Sequence, residues 1–137
     1  METETAREWF YFADADLDSA KILNAAYCRH REIICYHCQQ SAEKYLKGFL
    51  CYNGLTPPKI HTLEILCALC SNFNVIFNNI AKECAYLSPF AVHARYPFEM
   101  SITDANTEKA LKIAETIRDF QPLADLKKKL SAENENG

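Results

Sequence analysis

Apolar residues recur at three- and four-residue intervals along most of the chain, which is the spacing of one face of an α-helix. The first such stripe predicts a helix over residues 5–27, opened by a capping box formed by Thr5 and Glu8. The second predicts a helix over residues 32–53. Gly48 lies inside this second pattern, and we expect it to allow close contact with a neighbouring helix because it removes a side chain.

Three further helical patterns follow, over residues 61–72, 75–92 and 104–120. Pro89 falls inside the middle one and predicts a kink or an early end. Thr103 or Asp104 is placed to cap the last one.

The C-terminal segment contains both apolar and polar stretches. Leucines at positions 123, 126 and 130 follow Pro122, and we expect them to extend a last turn or two against a partner chain. Residues 131–137 are polar and acidic and predict a disordered tail. The sequence therefore predicts a single domain over residues 1–130.

Turn-forming residues are rare, with three glycines and five prolines in 137 residues, and no stretch predicts a strand. We therefore expect an all-α fold, an antiparallel up-and-down bundle of four to five helices. No apolar run reaches the roughly 18 residues of a membrane span, so no membrane segment is expected. The net charge of −3 argues against a broad surface for duplex DNA.

Seven cysteines raise the possibility of a zinc site, because Cys35/Cys38 and Cys67/Cys70 have C-x₂-C spacing. Both pairs lie inside apolar helical runs, whereas zinc pairs usually occupy tight turns. We expect buried core thiols and no metal or other cofactor. An odd cysteine count without a signal peptide favours the reducing cytoplasm.

The second helix carries a polar stripe that could bind an anion. His37, Gln40, Lys44 and Lys47 stand at positions i, i+3, i+7 and i+10, so they share one face. Two ammonium groups, an amide and an imidazole could hold a phosphate. The alternative is an ordinary solvated helix face.

Two further segments carry candidate ligand contacts. His61 lies at a helix start, where the helix dipole favours anions, although it could serve only as a cap. Arg95 and Tyr96 precede Pro97, and this turn could present a bidentate phosphate donor beside a stacking ring. A surface arginine and a packed tyrosine are the alternative. We expect Lys44, His61 and Arg95 to converge on one crevice.

Taken together, these segments resemble the HEPN family. The resemblance is carried by the run Gln-Gln-Ser-Ala-Glu-Lys-Tyr-Leu-Lys at 39–47, by His-Thr-Leu at 61–63 and by Arg-Tyr-Pro at 95–97. Trp9 and the run Ala-Asp-Ala-Asp-Leu at 13–17, with Ala20, match the first helix of the family. The similarity extends from about residue 7 to residue 120.

The resemblance implies a helical bundle that is commonly a homodimer and often occurs beside a minimal nucleotidyltransferase, sometimes as a toxin–antitoxin pair. It also implies a nucleotide or other phosphate-bearing ligand. The expected contacts are Lys44, Lys47, His61, Arg95 and Tyr96, supported by His37 and Gln40. We expect the chain to serve as the accessory subunit of such a nucleotidyltransferase.

Other members of the family are metal-independent ribonucleases, in which four to six residues separate an Arg from a later His near the later helices. No His follows Arg95 or Arg118, and the pair Arg31 and His37 lies at the start of the second helix. This departure favours a chain that is not an enzyme on its own. The alternatives are a ribonuclease toxin that uses His61 or His37 with Arg95 on RNA, and a ligand-free interaction module.

Overall fold

The computed structural model describes residues 2–93 and 101–136, and all regular secondary structure in these residues is helical. The elements are α1 (Glu2–Ala25), α2 (Arg31–Tyr52), α3 (Leu63–Ser71), a 3₁₀ helix (Val75–Ile80), α4 (Ala81–Leu87), α5 (Phe90–His93), α6 (Asp104–Arg118) and α7 (Gln121–Asn136). The expectation of an all-α helical bundle is confirmed. No helix within the described ranges is long and apolar enough to cross a bilayer.

Helix α2 is the centre of the fold, because every other α-helix packs against it. It is buried over most of its circumference, and Tyr45, Leu46 and Leu50 are among its fully enclosed side chains. A single strip around Gln40 and Lys44 remains partly exposed. The fold therefore leaves one narrow face of α2 available to a ligand.

Helices α1 and α2 run antiparallel in close contact. Phe10 lies beside Gly48, whereas Asp16, further along α1, contacts His37 at the other end of α2. A Cβ atom at Gly48 would lie 2.6 Å from a ring carbon of Phe10 and 3.0 Å from Cβ of Trp9. The prediction that Gly48 permits close helix contact is confirmed.

The helix ends differ in part from the prediction. Helix α1 begins at Glu2, so Thr5 lies inside the helix and the predicted capping box is wrong. Thr103 does cap α6: its hydroxyl accepts from the Asn106 N–H at 3.1 Å, and its N–H donates to the Asn106 side chain at 3.0 Å. The sequence predicted this cap correctly because the apolar periodicity of α6 begins directly after Thr103.

Pro89 interrupts the predicted fourth helix, as expected. Helix α4 ends at Leu87 and the short α5 begins at Phe90. The start of that pattern is a 3₁₀ helix rather than an α-helix, and the Asn74 side chain accepts from the Ile76 N–H at 3.2 Å. Short 3₁₀ segments leave little trace in apolar spacing, so periodicity did not reveal this one.

The C-terminal leucines correct one expectation. Leu123, Leu126 and Leu130 are buried on α7 within the same chain, so the expectation that they face a partner is wrong. Arg7 also donates from Nε to the carbonyl oxygen of Leu130 at 3.2 Å. Helix α7 continues to Asn136, through the segment for which the sequence predicts disorder.

We predict that Gly48→Ala lowers the free energy of unfolding by about 1–2 kcal/mol. The 2.6 Å approach to the Phe10 ring places the overpacking cost in the upper part of its usual range, at about 2–3 kcal/mol, and the better helix propensity of alanine offsets about 1 kcal/mol of it. Urea denaturation measures the change. In a Phe10→Leu background the same substitution should cost less, since the nearest ring atoms are gone. An equally stable Gly48→Ala protein would contradict the close contact.

Candidate ligand-binding site

A buried carboxylate on α2 organises the entry to α3. Glu43, whose side chain is 9% exposed, accepts from Nζ of Lys47 at 2.9 Å and from Nε2 of Gln39 at 3.1 Å. Nδ1 of His61 lies 3.1 and 3.0 Å from its two oxygens. Gln39 also donates to the carbonyl oxygen of His61 at 3.0 Å. These four residues are called the Glu43 cluster below.

Lys47 supplies the charge that balances Glu43. A buried carboxylate without a partner is strongly unfavourable, so a cation beside it is required. The Lys47 side chain is 7% exposed, and its ammonium lies 5.8 Å from the centre of the Trp9 ring. Lys47 is therefore enclosed by protein rather than presented to solvent.

A second carboxylate, Asp16 of α1, holds the other predicted cations. Lys44 Nζ lies 2.5 Å from one oxygen of Asp16, and His37 Nδ1 lies 3.1 Å from the other. Lys44 and His37 are each about a quarter exposed, and the Lys44 ammonium is 6.0 Å from the Phe12 ring centre. Asp16, the polar residue within the apolar stripe of α1, thus pairs with Lys44 and His37 of α2.

A small crevice lies beside the Glu43 cluster. It has a volume of about 90 Å³ and is lined by Tyr36, Gln39, Gln40, His61, Ala91 and Val92. Gln40 donates from Nε2 to the Tyr36 hydroxyl at 2.7 Å, which fixes both groups at one wall. We call this space the α2–α5 crevice.

His61 forms the opposite wall, and its side chain is 64% exposed. Its Nδ1 is engaged by Glu43, and Nε2 has no hydrogen-bond partner within residues 2–93 and 101–136. The Ser88 hydroxyl accepts from the Leu63 N–H at 2.9 Å, which ties the start of α3 to the junction between α4 and α5. The imidazole edge is thus held in place with one nitrogen available.

Five of the seven predicted ligand contacts lie within the described residues. Gln40 and His61 meet at the crevice, and His37 and Lys44 lie one turn to either side of Gln40 on the exposed strip of α2. Lys47 is enclosed in the Glu43 cluster. The remaining predicted contacts, Arg95 and Tyr96, lie outside the described residues. The preceding helix, α5, contributes Ala91 and Val92 to the crevice.

Sequence reasoning missed Gln39, Glu43 and Asp16 as parts of the site. Gln39 and Glu43 are spaced i and i+4, on a side of α2 that is otherwise buried. Because buried polar side chains require partners, this spacing was an available signal for a polar cluster. The partner across the loop, His61, could not be deduced from spacing.

A family model of the HEPN domain matches residues 6–126. The chain belongs to the HEPN family. The fold agrees with this assignment: the crystal structure of an archaeal HEPN homologue superposes with a TM-score of 0.63 at 23% sequence identity, covering 91% of this chain and 97% of the other. No curated protein matches the chain.

The run at 39–47, which carries much of the resemblance to the family, lies inside α2. In this HEPN domain the run forms the middle of the central helix, and its Gln39, Glu43 and Lys47 form the buried polar cluster. The resemblance inferred from the sequence is thereby confirmed at the level of the family.

The cysteines of this HEPN domain are mainly core residues. Cys35, Cys38, Cys67, Cys70 and Cys84 are buried, whereas Cys28 is exposed. Within the described part of the chain, no group of three His, Cys, Asp or Glu side chains is arranged to hold a metal ion. Burial raises the pKa of the Cys35 thiol to about 11.

We predict that Cys28 reacts with a thiol reagent much faster than the five buried cysteines. Burial keeps the reagent away from all five thiols, and at pH 8 the Cys35 thiol, with a pKa of about 11, is in addition ionised in only about one molecule in a thousand. The colour change of an aromatic disulfide reagent measures the rates. Cys28→Ser should remove the fast phase, and urea should release the buried thiols. Reaction of the buried thiols at the Cys28 rate in native protein would contradict this packing.

Proposed function

We propose that this HEPN domain binds a nucleotide or another phosphate-bearing ligand at the α2–α5 crevice. The observation that carries the proposal is the anchored imidazole of His61, whose Nδ1 is held by buried Glu43 while Nε2 is available beside Gln40. An imidazole fixed in this way can donate to a phosphate oxygen when it is protonated. The neighbouring amide of Gln40 adds a polar contact.

Additional charge for the ligand comes from the exposed strip of α2 and from the segment after α5. Lys44 is partly exposed, but it pairs with Asp16 and lines a separate hollow beside Trp9 and Phe12, so in this proposal it adds positive charge to the strip rather than a direct contact in the crevice. Arg95 would add a bidentate phosphate donor, and Tyr96 would add a ring on which a base could stack. In this proposal Lys47 acts indirectly, through Glu43 and His61.

The proposed physiological role is the accessory subunit of a minimal nucleotidyltransferase, including the toxin–antitoxin arrangement. Nucleotidyl transfer requires carboxylates that hold metal ions. The described lining of the crevice has aromatic, amide, imidazole and aliphatic side chains and no carboxylate. The chemistry of transfer would therefore come from a partner protein.

A homodimer is part of the same proposal. The leucines of α7 do not support it, because they are buried within the chain. Support comes from large apolar side chains on the surface of α1, where Tyr11 is 68% and Phe12 53% exposed. Exposed apolar surface of this kind is often covered by a second copy.

We predict that ADP binds the purified protein and that His61→Ala weakens its affinity about tenfold, which corresponds to the loss of one charge-assisted hydrogen bond, or about 1.4 kcal/mol. Arg95→Ala should weaken it at least as much, because a bidentate contact is lost. Titration calorimetry with ATP, GTP and ADP measures both effects.

Lys112→Ala is the matched control, because this exposed lysine of α6 takes no part in the crevice. Its affinity for ADP should equal that of the unaltered protein. The proposal fails if none of the three nucleotides binds, or if His61→Ala binds ADP as tightly as the parent.

A second candidate function is metal-independent cleavage of RNA. The observation that favours it is the presence of two partly exposed histidines, each oriented by a carboxylate: His37 by Asp16, and His61 by Glu43. A positioned imidazole can take the proton of a 2′-hydroxyl, and Arg95 would stabilise charge on the phosphate.

This candidate predicts cleavage of single-stranded RNA in the presence of EDTA, with a rate that falls at least a hundredfold in His61→Ala and in Arg95→Ala, as expected for loss of an acid–base group or of an anion-stabilising group. Gel electrophoresis of a labelled RNA measures the rate over a range of pH. RNA that stays intact at every pH rules this candidate out.

A further inference from the structure

We propose that Glu43 is a positioning residue that fixes the His61 ring so that Nε2, and not Nδ1, meets the ligand. The assignment of the ligand to the α2–α5 crevice rests on the proposed function. The orientation and tautomer of the ring are properties of the unliganded protein and are tested separately.

The first step is the geometry between ring and carboxylate. Nδ1 of His61 lies 3.1 Å from Oε1 and 3.0 Å from Oε2 of Glu43, so both oxygens face the same ring nitrogen. An ionised carboxylate has only acceptor sites. Nδ1 must therefore carry a proton, and in the neutral ring the lone pair is placed on Nε2.

The second step is the set of donors that holds the Glu43 carboxylate in place. Lys47 donates to Oε2 at 2.9 Å and Gln39 donates to Oε1 at 3.1 Å, while His61 approaches both oxygens. The side chains of Glu43 and Lys47 are less than a tenth exposed. The carboxylate thus has a charged partner and little water to compete with His61.

The third step is that the main chain of His61 is held as well. Gln39 donates to the His61 carbonyl oxygen at 3.0 Å from the same amide nitrogen that contacts Glu43. Gln39 and Glu43 are one turn apart on α2, so the same helix contacts both the backbone and the ring of His61. His61 lies before α3, outside any helix, where such anchoring is needed.

The arrangement is better explained by positioning than by stability. Replacing a buried ion pair by packed apolar residues is often neutral or stabilising, so such a pair is weak evidence for a stabilising role. Here the buried pair also fixes a largely exposed imidazole at the wall of a crevice. Nε2 is then the ring atom that faces the ligand.

The first test is the tautomer of His61 in the unliganded protein, read from long-range proton–nitrogen NMR spectra at about pH 8.5, where free imidazole is neutral. We expect Nδ1 to be protonated and Nε2 to be bare in the parent protein. In Glu43→Gln the new amide can donate a hydrogen bond as well as accept one. The Nε2–H tautomer of His61 should therefore become at least as populated as the Nδ1–H tautomer. Glu64→Gln, an exposed substitution on α3, is the control and should leave the spectrum unchanged.

The second test is the coupling between the two residues in ADP binding. Glu43→Gln should weaken ADP about tenfold, like His61→Ala, and the double variant should show no further loss, because Glu43 acts only through His61. A merely structural role would make the two losses additive.

The outcomes separate the two proposals. A predominant Nε2–H form in the parent protein overturns the positioning role, as do additive losses in the double variant. The parent spectrum decides the tautomer even if Glu43→Gln does not fold. A bare Nε2 in a protein that binds no nucleotide supports the positioning role and overturns the proposed ligand.

Discussion

The need to partner a carboxylate inside the bundle shapes the region around the candidate site. Glu43 lies on the central helix with almost no access to water. Its oxygens have four polar contacts, one with Lys47, one with Gln39 and two with Nδ1 of His61. The contacts between His61 and Glu43 require the chain between α2 and α3 to pass close to Glu43. The histidine is therefore held at the crevice by its contacts with a buried carboxylate, together with the apolar packing of Ile60 and Leu63 on either side of it.

A second constraint is the closeness of α1 and α2. Gly48 allows the Phe10 ring and the Cβ atom of Trp9 to approach the backbone of α2, and the Ser41 hydroxyl donates to the carbonyl oxygen of Ala13 at 2.8 Å. At this separation Asp16 reaches both Lys44 and His37. Helix packing thus determines which charges on α2 are neutralised and which remain accessible.

The helical architecture could be predicted from the sequence because it depends on local spacing, on the cap at Thr103 and on the interruption at Pro89. The α7 leucines were read as an exposed interface, since periodicity shows that a face is apolar but not what covers it. The site was only partly predictable. Gln40 and His61, which the sequence offered as separate candidate contacts, line the same crevice, whereas the roles of Glu43 and Asp16 depend on contacts between helices, which no spacing rule encodes.

The bond between the Ser88 hydroxyl and the Leu63 N–H gives the crevice a mechanical property. One wall begins at His61, two residues before Leu63, and the other begins at Ala91, three residues after Ser88. The hydrogen bond therefore restrains the distance between these two segments close to the crevice, so the spacing of His61 and Ala91 depends on a contact that neither residue makes itself.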